Sequence, residues 1–152
     1  MMLAGGSVPS AEAQALGYGI AGPAGFSGFF GSSVSHVHAA GGAEVLTPGG
    51  FGIGGEVGVL GGRGSALFVL SANGSFHIST DPSVQRVVPF LTGGYTNMRN
   101  SDGSFNAWNV GAGVDIWLRE RAGLRVDVRD HVRRDSRGAV QYWAIRAGIV
   151  FR

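Results

Sequence analysis

Cysteine is absent from the 152 residues, which excludes disulfides, thiol catalysis and zinc–thiolate sites. Lysine is absent too, so all twelve basic residues are arginine, and ten of those lie between Arg99 and Arg152. Charged residues make up only 14% of the chain. No apolar run reaches 18 residues, which excludes a transmembrane helix. Glycine is abundant instead, at 28 residues, well above an average usage of about 7%. The glycines follow no three-residue period, so the chain is not collagen-like. A hydrophobic content of 44% argues against disorder. The length suits one domain with a sizeable core.

The first residues, MMLAGGSVPSAEAQALG, contain Ala13-Gln14-Ala15, the small-x-small form of a signal-peptidase site. The first arginine is Arg63, so a positive n-region is missing. Residues 1–16 are expected to be a signal-peptide remnant or a flexible tail, and residues 17–152 a single domain.

Helical periodicity is hard to find, whereas period-two alternation recurs from about Gly17 to the end. Turn signals interrupt it at Gly31-Ser32-Ser33, Thr47–Gly50, Gly61–Gly64, Asp81-Pro82-Ser83, Asn100–Gly103, Glu120–Gly123 and Asp135–Gly138. Seven turns separate eight segments, and short links imply antiparallel neighbours in an up-and-down meander. Pro23 and Pro89 each remove a ladder donor, which places them near strand ends or bulges.

Sorting each segment by alternate residues separates two chemistries. Leu124, Val126 and Val128 oppose Arg125, Asp127, Arg129 and His131. Trp108, Val110, Ala112, Val114, Ile116 and Leu118 oppose Asn109, Gly111, Gly113, Asp115 and Trp117. The polar face suits water poorly, being rich in glycine, mixed in charge and without lysine. The apolar face suits lipid, with aliphatics along it and aromatics at strand ends. An eight-stranded barrel has an interior just wide enough for side chains to fill. Glycines on that inner wall would make room for Glu56, Asp115, Arg125, Asp127, Arg129 and Arg146 to pair as a lumen charge network. Closure satisfies every backbone donor and acceptor, as strands crossing a membrane require. The expected fold is all-β, an eight-stranded antiparallel up-and-down transmembrane β-barrel.

The segments VVPFLTGGYT (Val87–Thr96), FNAWNVGAGVDIWL (Phe105–Leu118), GLRVDVRDHV and YWAIRAGIVFR (Tyr142–Arg152) resemble the small bacterial outer-membrane β-barrel superfamily. That group includes the transmembrane domain of outer-membrane protein A, and the similarity covers nearly the whole chain after Gly17. It implies eight strands, insertion by the barrel-assembly machinery, an outer-membrane location and both termini on the periplasmic side.

Other chemistries fit less well. His36 and His38 share one strand face at a spacing that can hold a transition metal, and they are the weak metal candidates. Glu44 lies on that face too, but too far along the strand to complete the site unaided. A hydrolytic Ser–His pair would have to face lipid to reach a lipid substrate, yet His36, His38, His77, His131, Ser71 and Ser75 all fall on the polar face. Gly50–Gly55 lacks the helix that a phosphate loop needs. In GLRVDVRDHVRR aspartates offset arginines and no aromatic platform accompanies them, which argues against nucleic acid. Arg133, Arg134 and Arg137 are expected to decorate a surface loop, where they could meet the anionic sugars of lipopolysaccharide.

The sequence thus points to a non-catalytic barrel with a plugged polar lumen and a structural role in the envelope. No cofactor is called for; the expected partners are outer-membrane lipids and lipopolysaccharide, and a monomer is expected. A narrow pore or small-ligand-binding barrel is the alternative, and a soluble lipocalin-like barrel fits the apolar face less well.

Overall fold

The computed structural model describes residues 12–28, 31–62, 64–81, 85–135 and 138–152. Eight strands follow in chain order: β1 (Gln14–Gly28), β2 (Gly31–Leu46), β3 (Phe51–Gly62), β4 (Ser65–His77), β5 (Val87–Asn100), β6 (Gly103–Arg119), β7 (Ala122–Asp135) and β8 (Gly138–Phe151). Each pairs antiparallel with its neighbours in sequence, and β8 pairs back onto β1 to close the barrel. Both ends of the barrel wall, Gln14 and Phe151, therefore lie at the same mouth.

The links between strands are short at both mouths. At the mouth away from the termini, β5 joins β6 through Ser101 and Asp102 alone. The longest described link, from Ile78 to Arg86, lies at the terminal mouth between β4 and β5. Gly50 makes the β2–β3 turn with a φ of 84°, a left-handed conformation that glycine adopts without strain.

Alternation sets the two faces as the sequence pattern indicated. Ile53, Leu91, Trp108, Val110, Val126, Ile145 and Ile149 are exposed outward, while Arg125, Asp127, Arg129, His131 and Arg146 are buried inside. Aromatics mark the upper and lower limits of the outer apolar band. Phe51 and Phe76 pack at 4.8 Å near the terminal mouth, and Tyr95 and Trp108 pack edge-on at 5.2 Å near the other.

Three sequence expectations are corrected. Gly31–Ser33 is not a turn: it belongs to β2 and pairs with Phe26–Gly28, the connection being shifted to residues 29–30, outside the described set. A register shift between Ala24 and Gly25 accommodates this, beside Pro23, which has no N–H to give the ladder. The wall also starts before Gly17, because Leu16 is needed inside, buried against the apolar cluster of Leu46, Val88, Trp117 and Val150. Finally, Arg133 is not on a loop, since β7 continues to Asp135 in register with β8. The Arg63 and Arg137 positions lie outside the described residues.

Candidate functional site: the barrel lumen

The lumen is stratified from one mouth to the other. At the terminal mouth Leu16, Tyr18, Ile20, Leu46, Val88, Trp117 and Val150 form one apolar cluster. At the opposite mouth Ala24, Leu60, Val69, Met98, Tyr142 and Ala144 form a second. Glycines on the inner wall allow this filling: a side chain at Gly42 would run into the Tyr18 ring, and one at Gly113 into Phe90.

Charged residues occupy the space between, in two layers. In the layer nearer the termini Arg125 reaches Asp115 through two bonds, Nε to Oδ1 at 2.7 Å and Nη2 to Oδ2 at 2.8 Å. Asp115 is its register partner on β6. The same Nη2 crosses the lumen to Glu44 Oε1 on β2 at 2.7 Å. Ser75 donates to Glu44 Oε2 at 2.6 Å, and His77 lies 3.4 Å from Glu44 and 3.6 Å from Asp115. The Arg125 guanidinium is sandwiched between the Tyr18 and Phe90 rings, 4.3 and 4.6 Å from their centroids.

The second layer repeats the plan on other strands. Arg146 binds its β8–β7 partner Asp127 through Nε at 2.8 Å and Nη2 at 2.7 Å. Its Nη1 then crosses to Glu56 on β3 at 2.6 Å. Tyr18 donates to Glu56 at 3.1 Å. Arg129 lies between the two carboxylates, 3.4 Å from Glu56 and 3.5 Å from Asp127. Each bidentate arginine thus holds one carboxylate on the adjacent strand and a second on the far wall. Charge-assisted forks of this kind are stronger than neutral hydrogen bonds and fix orientation.

A neutral layer flanks the ions, where Asn109 donates to Thr96 at 2.9 Å and Ser71 meets Thr96 at 2.8 Å. Toward the mouth away from the termini, His38 and His131 pack on the Tyr142 ring with centroids 6.0 and 4.9 Å apart. A cavity of about 10 Å³ lies at the Arg125 level beside Tyr18, Glu44, Arg125 and Arg129, room for about one water molecule.

All six charged residues singled out from the sequence, Glu56, Asp115, Arg125, Asp127, Arg129 and Arg146, are buried in this lumen. Two further members, Glu44 and His77, were not included with them. Both carry the inward phase of their strands, which was the available signal. The two histidines named as metal candidates have different surroundings: His36 packs edge-on against Phe26 at 5.1 Å, whereas His38 faces Arg146 at 3.5 Å. Among the described residues no group of three or more His, Asp or Glu side chains is placed to hold a metal. The inward hydroxyls Ser71 and Ser75 bond to Thr96 and Glu44 rather than to an imidazole.

No protein-family model matches the chain, and no curated protein matches it in sequence. Solved structures do match in shape. Neisserial surface protein A superposes with a TM-score of 0.70 at 13% identity, over 92% of this chain and 98% of that one. The N-terminal β-barrel domain of Pseudomonas aeruginosa OprF gives 0.62 at 14% identity, over 89% and 96%. Ail, the attachment invasion locus protein of Yersinia pestis, gives 0.52 at 13% identity, over 91% and 98%. The closed ring, the apolar outer band and these likenesses agree: the fold is that of the eight-stranded outer-membrane β-barrels.

Proposed function

We propose that the chain resides in the bacterial outer membrane as a barrel plugged by its own side chains, with a structural role in the envelope and no catalysis. The observation that carries this reading is the pair of ionic struts that cross the lumen, Arg125 to Glu44 and Arg146 to Glu56. A water column needs a continuous open path, and side chains that bond wall to wall interrupt it in both layers. Apolar clusters at both mouths add a second obstruction. Short links support a structural role over a receptor role, because binding surfaces on barrels are built from loops. On this reading the protein acts as a monomer, is inserted by the barrel-assembly machinery, and has membrane lipids, lipopolysaccharide among them, against its apolar band.

Reconstitution into planar bilayers tests the plug: the intact protein is expected to give no current steps. Reproducible steps would replace the plug with a narrow pore. Fractionation tests the location, since the protein should stay with the outer membrane and need detergent to leave it.

A further inference from the structure

The two charged layers of the lumen differ in their count. Around Arg146, the carboxylates Glu56 and Asp127 face two guanidinium groups, those of Arg129 and Arg146. In the layer nearer the termini, Glu44 and Asp115 face Arg125 as their one guanidinium among the described residues. None of these side chains is more than 8% exposed. A buried carboxylate without a counter-charge is costly, so the terminal-side layer is one positive charge short.

His77, buried at the end of β4, stands where that charge is needed. Its Nε2 lies 3.4 Å from Glu44 Oε2 and its Nδ1 3.6 Å from Asp115 Oδ2. A neutral imidazole has one N–H and one lone pair, so it would turn a lone pair toward one of these carboxylates. Only the imidazolium presents an N–H to both. Arg125 takes the other oxygen of each, Glu44 Oε1 and Asp115 Oδ1, at 2.7 Å. Glu44, Arg125, Asp115 and His77, from β2, β7, β6 and β4, thus close a ring of alternating charge. Phe90 of β5 lies against both cations, stacked on the imidazole at 5.0 Å and 4.6 Å from the guanidinium, and an aromatic face favours positive charge. On β4 itself Ser75 donates to Glu44, and the His77 N–H is held by the Gly50 carbonyl at 2.8 Å.

We propose that His77 holds a proton in the folded barrel and that this proton latches the terminal-side layer. With it the ring of charges closes; without it Glu44 and Asp115 share one guanidinium. Histidine suits such a latch because its ring is the side chain that changes charge close to neutral pH. The inference rests on the geometry of the lumen, and it gives the plug a strut that responds to acidity.

Nitrogen-15 NMR of the full chain in detergent micelles tests the proton directly, with the ring signals assigned through their bonds to the His77 backbone. At neutral pH both ring nitrogens of His77 should carry hydrogen; a ring with one bare nitrogen overturns the latch. Urea unfolding gives a second readout, with wild type compared with the Glu44→Gln/His77→Gln pair, whose layer is balanced by Arg125 and Asp115 without a proton. A proton held by the folded chain and released on unfolding stabilises at acidic pH, and that contribution is lost as the pH rises. From about pH 5 to pH 8 the wild type should therefore lose stability relative to the pair, by up to about tenfold in the unfolding constant per pH unit for one linked proton. Parallel profiles would also overturn the latch. If the pair does not fold, the wild-type spectrum decides alone. Current steps in planar bilayers would remove the plug and leave this proton in place, so the two readings fail separately.

Discussion

Asp127 and Arg146 stand directly opposite each other on β7 and β8, and two parallel bonds of 2.8 and 2.7 Å join them inside the lumen. The same arginine then reaches Glu56 on the far wall at 2.6 Å. Removing it would take the shortest cationic contact from two buried carboxylates and leave them only Arg129 as a cationic partner, at 3.4 and 3.5 Å. Breaking a buried pair from one side costs about 3–5 kcal/mol, because the remaining charge loses its partner. Arg146→Leu is therefore expected to lower the unfolding midpoint of the detergent-folded barrel sharply, and Arg125→Leu likewise. Arg99→Leu, on an exposed position, should stay within about 0.5 kcal/mol of wild type. Urea titration followed by the folded-to-unfolded gel shift measures all three, and equal effects would refute the network.

The carboxylates should be coupled to the arginines rather than additive with them. Glu44→Gln and Arg125→Leu each remove one end of a 2.7 Å contact. Residues in one ionic network show interaction energies of about 0.5–3 kcal/mol in a double-mutant cycle. The double variant should thus be less unstable than the sum of the single ones. Strict additivity would mean that the cross-lumen bond does not exist in the folded barrel.

Glycine at the inner wall is a packing requirement, and two glycines separate that from composition. A side chain at Gly42 would meet Tyr18, whose hydroxyl donates to Glu56, whereas a Cβ at Gly61 meets nothing within 4 Å. Overpacking a filled interior costs about 1–3 kcal/mol. Gly42→Val is expected to fall in that range and Gly61→Ala to be close to neutral, in the same unfolding assay.

Val57 is 51% exposed on the outer wall near the middle of β3. If that wall faces lipid, Val57→Arg should cost about 2–4 kcal/mol for barrels folded into phospholipid vesicles, the penalty for arginine near the bilayer midplane. If the wall faces water, the same change should be neutral and should improve solubility. Folding yield and urea midpoint in vesicles decide between them.

Much of this was legible in the sequence because alternation has period two and needs no long-range information. GLRVDVRDHVRR alone separates Leu124, Val126 and Val128 from Arg125, Asp127, Arg129 and His131. The composition of the polar face across the chain turns the second row inward, and the structure buries it there. The contacts across the lumen were less legible. They depend on how far each strand is staggered past the next around the ring, a quantity set by closure and not by any one segment. Glu44 shows the difference: along its own strand it lies too far from His36 and His38 to complete a metal site, yet it meets Ser75 and His77 on β4 and Arg125 on β7. The reach of β7 was missed for a related reason. Arg133 and Arg134 look like loop residues by charge, but β8 supplies a ladder for them as far as Asp135.

The seam between the first and last strands has a consequence for how this barrel opens. Its ladder skips from Ala21↔Ala147 to Ala24↔Ala144, leaving Gly22 and Pro23 opposite Arg146 and Ile145 in unchanged register but without ladder pairing. The hydrogen-bonded circumference is interrupted at the level where Arg146 projects its side chain inward. Of the consecutive Ile145 and Arg146 amides, the one turned toward β1 should then exchange with solvent deuterium before those of the uninterrupted β5–β6 ladder. A barrel parting along this line would keep β8 tethered to β7 and, through one guanidinium, to β3. The ion pairs thus act as an internal clasp behind an incomplete zip.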